Sequence, residues 1–87
     1  MISRDSIEAA YAFFHQKKRV YDHSTSATQR DDIEYAVSSY ADGMSRSLYD
    51  VLAKGRRQFL FDHTSFAADI TEAVDALAAL LQVGEEA

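Results

Sequence analysis

Apolar and aromatic residues recur at intervals of three and four in three stretches of this chain. In the first, Ile7, Ala10, Tyr11, Phe14, Lys18 and Tyr21 fall on one helical face. Asp5 and Glu8 near one end and Lys17, Lys18 and Arg19 near the other complement a helix dipole, so the spacing predicts a helix over roughly 4–21. In the second stretch Ile33, Val37, Tyr40, Met44, Leu48 and Val51 are separated by four, three, four, four and three residues. That register crosses Asp42-Gly43 unbroken and predicts one helix over 29–53, at a cost of about 1 kcal/mol for the interior glycine. A kink, or two shorter helices meeting at Asp42-Gly43, is the alternative. In the third, Phe66, Ile70, Ala73, Val74, Leu77, Leu80 and Leu81 predict a helix over 65–82, with Gly84 as its C-terminal cap and 83–87 as a frayed tail. Between the second and third stretches, Arg56-Arg57-Gln58-Phe59-Leu60-Phe61 fits an extended connector, a short strand or a further helical turn.

Each amphipathic stripe must be buried against another element, so three of them imply an all-α, single-domain three-helix bundle over 1–87 with the long middle helix as its spine. A dimer in which that helix pairs with its copy uses the same stripes. Composition supports a bundle. The absence of proline and the presence of only three glycines favour long helices over a turn-rich β fold. At 87 residues a single core can fold without staples, and the lack of cysteine excludes disulfides, thiolate metal sites and cysteine nucleophiles. No stretch approaches the roughly 18 apolar residues of a membrane span, and Met1-Ile2-Ser3-Arg4-Asp5 has no signal-peptide core. The expectation is a soluble, cytoplasmic protein that does not enter a membrane.

Some apolar residues fall off the stripes. At a helical step of about 100° per residue, Phe13 and Val20 lie more than a right angle from the Ile7–Phe14 face. Either the first helix buries a broad arc, or the connector around Phe59–Phe61 covers these side chains, or they form a patch for a partner. Tyr35 and Tyr49 project opposite the second stripe, and aromatic rings with a polar end are favoured at interfaces. Phe13, Val20, Tyr35 and Tyr49 are therefore the candidate partner surface, for another protein or a second copy of the chain.

Charge divides the chain unevenly. Residues up to Arg57 carry +1, whereas 58–87 contain six acids and no Lys or Arg, which gives −5 in all. Glu72 and Asp75 point away from the third stripe, as a solvated face or as an acidic surface for a basic partner. The basic clusters Lys17-Lys18-Arg19 and Lys54-Gly55-Arg56-Arg57 stand where helices end. Brought together by the fold, Lys17, Lys18, Arg19, Arg56 and Arg57 would make an anion or nucleic-acid site; the negative total and the lack of a helix-turn-helix pattern oppose it.

An eight-residue pattern occurs twice, as Val20-Tyr21-Asp22-His23-Ser24-Thr25-Ser26-Ala27 and Leu60-Phe61-Asp62-His63-Thr64-Ser65-Phe66-Ala67. With His15, these Asp-His units offer imidazole and carboxylate donors, but adjacent side chains on a regular element diverge and no two histidines sit a helical turn apart. A metal site would need both loops to converge. A Ser-His-Asp set lacks the G-x-S-x-G elbow, three scattered glycines cannot build a phosphate loop, and Asp31-Asp32 suits a helix start. The Ser and Thr residues of each copy are N-capping chemistry for the second and third helices. The expectation is a protein without catalytic residues, cofactor or metal, acting through protein–protein contacts as an accessory or regulatory factor.

Overall fold

Short oxygen-bearing side chains open the helices of this chain, because the first turn of a helix leaves backbone N–H groups without partners. In the computed structural model, which describes residues 2–86 and side chains through residue 82, Ser3 accepts from Ser6 N–H at the start of α1 (Arg4–His23). Ser26 accepts from Gln29 N–H to open α2 (Ala27–Gly43), and Ser45 from Leu48 N–H to open α3 (Arg46–Ala53). Asp62 caps a short 3-10 turn (His63–Ser65) that leads directly into α4 (Phe66–Glu86). The chain is all-α, with four helices and no strand among the described residues.

The helix expected over 29–53 is two helices. Met44 is extended (φ −79°, ψ 167°) between α2 and α3, and Ser45 starts a new helix in the next residue. A glycine at the helix end followed by a serine able to cap supplies both a stop and a start, and this outweighs the continuous apolar spacing. The buried face is also re-phased at the break: Ile33, Val37 and Ala41 face the core from α2, and Leu48, Leu52 and Ala53 from α3. Val51, which the unbroken register assigned to the core, is 45% exposed. At its far end α3 stops in two successive left-handed residues, Lys54 (φ 54°) and Gly55 (φ 85°), which turn the chain sharply. The Phe59–Phe61 run is neither strand nor extended connector but a hydrogen-bonded turn, in which Phe61 N–H and Asp62 N–H both donate to Gln58 C=O.

The spine differs from expectation as well. The main packing is of α1 along α4, with α2 resting on α1 and α3 on α4. Ala10 and Phe14 of α1 meet Phe66, Ile70, Ala73, Val74 and Leu77 of α4, and Phe59 and Leu60 of the connector complete the core. Splitting the middle segment removes the length a spine would need, so the two longest stripes pair instead. Burial of Phe14, Phe59 and Phe66 stabilises the fold by about 1.5–3 kcal/mol for each ring. The molecule measures 42 × 25 × 18 Å. Among the described residues no helix is long and apolar enough to cross a membrane. The cap expected at Gly84 and the tail expected over 83–87 are not found where the spacing put them: α4 runs on through Gly84 to Glu86, and of that stretch only Ala87 lies outside the described backbone.

Candidate functional site

The connector from α3 to α4 is fixed by one buried carboxylate. Asp69, in the first turn of α4, is 3% exposed. Its Oδ2 accepts from Leu60 N–H (3.0 Å) and from the Ser65 hydroxyl (3.1 Å), while Oδ1 lies 3.6 Å from the Arg56 guanidinium. Arg56 also pairs with Glu72 (2.5 Å), donates to Ala53 C=O and stacks over the Phe59 ring at 4.5 Å. Leu60 holds a left-handed backbone (φ 69°) that a bulky residue avoids unless its surroundings enforce it. The Asp69 hydrogen bond and complete burial of the leucine side chain enforce it here. The Tyr49 hydroxyl donates to Phe59 C=O at 2.7 Å, and burial pushes its phenol pKa up.

These restraints decide which rings turn inward. Phe59 and Leu60 enter the core, whereas Phe61 stays 42% exposed with its ring 5.9 Å from that of Tyr49. Between this connector and the α2–α3 break runs an open groove of about 730 Å³. Met44, Tyr49 and Phe61 give it apolar surface; Arg46, Arg56 and Arg57 give it positive charge, and Asp42 and Asp50 give it negative charge. Arg46 is bound to Asp50 (3.1 Å) and Arg56 to α4, which leaves Arg57 as the groove arginine without an ion pair among the described residues.

The sequence-derived candidates are dispersed. Phe13 is half-buried, stacked on Tyr40 with ring centroids 4.2 Å apart and planes 13° from parallel, with the Lys17 ammonium 5.5 Å from its ring centroid. Val20 is 40% exposed in a shallow depression with Arg19 and His23, and Tyr35 is 76% exposed on α2. Tyr49 alone of the four lines the groove. Of the basic residues, Lys18 is tied to Asp22 (2.6 Å) and Arg56 to α4, and Arg19 and Arg57 lie in different depressions.

The two copies of the repeat take different structures. Asp22 and His23 are the last residues of α1, and His23 Nδ1 donates to Arg19 C=O (2.8 Å). Asp62 instead accepts from the Thr64 hydroxyl (2.8 Å) and the Thr64 N–H (3.0 Å), which hold its carboxyl below the usual range. His63 Nδ1 shares a hydrogen bond with Glu34 Oε1 on α2 (2.8 Å), and the carboxylate raises the imidazole pKa. The Asp-His units therefore do not share a site: His23 and His63 line separate depressions. No family model, curated protein or solved structure matches the chain.

Sequence reasoning missed Asp69 and Glu34. Asp69 stands three residues after Phe66 and four before Ala73, inside the apolar register. An acid at such a position is a signal that it binds something buried. Glu34 carried no comparable signal, since its partner His63 is distant in sequence.

Proposed function

We propose that this chain is a non-catalytic accessory or regulatory protein that binds another protein through the groove between the α2–α3 break and the α3–α4 connector. The observation that carries this reading is Phe61, an aromatic side chain left 42% exposed on a connector held by Asp69 and Tyr49. Exposed aromatic rings bordered by arginine are favoured features of protein interfaces. The fitting occupant is an acidic segment of the partner that also carries apolar side chains. Arg57 offers it a free guanidinium, while Met44, Tyr49 and Phe61 offer apolar contact. A nucleic acid is the poorer occupant, because a phosphate backbone is held by several free cations together, and Lys18, Arg46 and Arg56 are already paired.

The test is a titration of isotopically labelled protein with short synthetic peptides in which Asp and Glu alternate with Leu and Phe, followed through backbone amide resonances. Shifts confined to residues 41–61 are expected, and Phe61→Ser or Arg57→Glu weakens binding by about tenfold or more. Both side chains are exposed, so the variants retain the helical fold. Equal binding of peptides with Lys in place of the acids would overturn the reading. So would a failure of the acidic peptides alongside salt-sensitive binding of a DNA or RNA duplex.

A further inference from the structure

We infer that Asp31, Glu34 and His63 form a binding site for a divalent transition-metal ion of the zinc class, where α2 meets the start of α4. Three different donors converge there. Their ligand atoms all lie within 4.8 Å of one another. Metal–ligand distances of about 2.0–2.2 Å set neighbouring donors about 3.0–3.5 Å apart around a tetrahedral or octahedral ion. His63 Nδ1 and Glu34 Oε1, at 2.8 Å, are already close to that separation. Asp31 is exposed, so a side-chain rotation can bring its carboxylate in.

The scaffold holds the donors from two independent directions. Asp31 and Glu34 stand three apart in α2 and so share one helical face. His63 opens the 3-10 turn that Asp62 caps through Thr64, and this cap aims the imidazole at α2. Two carboxylates and a neutral imidazole balance a dication. A donor set containing imidazole suits zinc, cobalt or nickel, whereas magnesium and calcium favour oxygen alone. Three protein donors leave a fourth position open toward the depression lined by Tyr21 and Thr64. Arg30 lines the same depression, but its guanidinium is engaged with Ser24 C=O (3.0 Å). Such an ion would reinforce the link between α2 and the start of α4 that the His63–Glu34 hydrogen bond makes, independently of the groove.

The test is calorimetric titration of the 87-residue chain, stripped with a chelator, with zinc chloride and separately with magnesium chloride. Zinc binds one equivalent and raises the thermal midpoint; magnesium does neither. Glu34→Gln and His63→Ala each weaken zinc binding by about tenfold or more. His15→Ala and His23→Ala leave it unchanged. The His63 side chain is 77% exposed, so its removal spares the core, and Asp31→Asn, also at an exposed position, gives a second variant that keeps the fold. Absence of heat above dilution with zinc overturns the inference, as does binding that survives in both Glu34→Gln and His63→Ala.

Discussion

Asp69 is the buried ionisable side chain among the described residues, and its position explains the shape of the connector. A carboxylate removed from water is costly unless its oxygens are bonded. Here Leu60 N–H, the Ser65 hydroxyl and the Arg56 guanidinium surround it. Asp69→Ala would leave the Leu60 N–H buried without an acceptor and release Arg56 from one of its two acids. We expect a loss of about 2–3 kcal/mol in unfolding free energy, measured by urea denaturation. Asp69→Asn retains an acceptor for Leu60 and loses less. A variant as stable as the parent would show that the connector does not depend on this residue. The sequence does carry a sign of it, since an acid inside an apolar stripe is out of place. What it does not carry is the partner, because the Leu60 N–H is a main-chain group that no residue letter reports.

Among the elements, the three apolar stripes were legible because helical periodicity is local: each side chain's face follows from its neighbours three and four away. The break at Met44 was not legible from spacing. Leu48 follows Met44 by four residues, so the register looks continuous even though the backbone between them is extended. Capping competes there with stripe continuity, and Ser45 is one of many serines in the chain. The glycines at the two ends of this region should respond oppositely to a methyl group. Gly43 is helical and an added Cβ would meet nothing within 4 Å, so Gly43→Ala should stabilise by about 0.5–1 kcal/mol. Gly55 has equal space but a φ of +85°, and Gly55→Ala should cost about 1 kcal/mol. Thermal unfolding reads the two as midpoint shifts of opposite sign, of about 4–8 °C for each kcal/mol in a domain of this size. Shifts of the same sign would contradict the backbone described for this segment.

At the scale of the molecule, the α1–α4 pair carries the core, and Phe14 sits where α1, α2 and α4 meet. Its ring is fully buried and lies edge-on to Tyr40 of α2 at 5.4 Å. Phe14→Ala should cost about 3–5 kcal/mol, a large part of the total for a chain of 87 residues. Circular dichroism should then show a strong loss of helix at 37 °C, and retention of the parent's melting curve would show that the core is organised elsewhere. That the chain would be an all-α bundle could be read from its stripes. Which helices pair could not, because pairing follows from the lengths left after the break. The groove was illegible for the same reason, being a by-product of that break and of the turn after α3. Since Asp69 and Tyr49 fix the connector when the chain folds, its conformational entropy is already lost before a partner arrives. Docking there is a meeting of preorganised surfaces, and differences between partners should appear in how long they stay rather than in how fast they arrive.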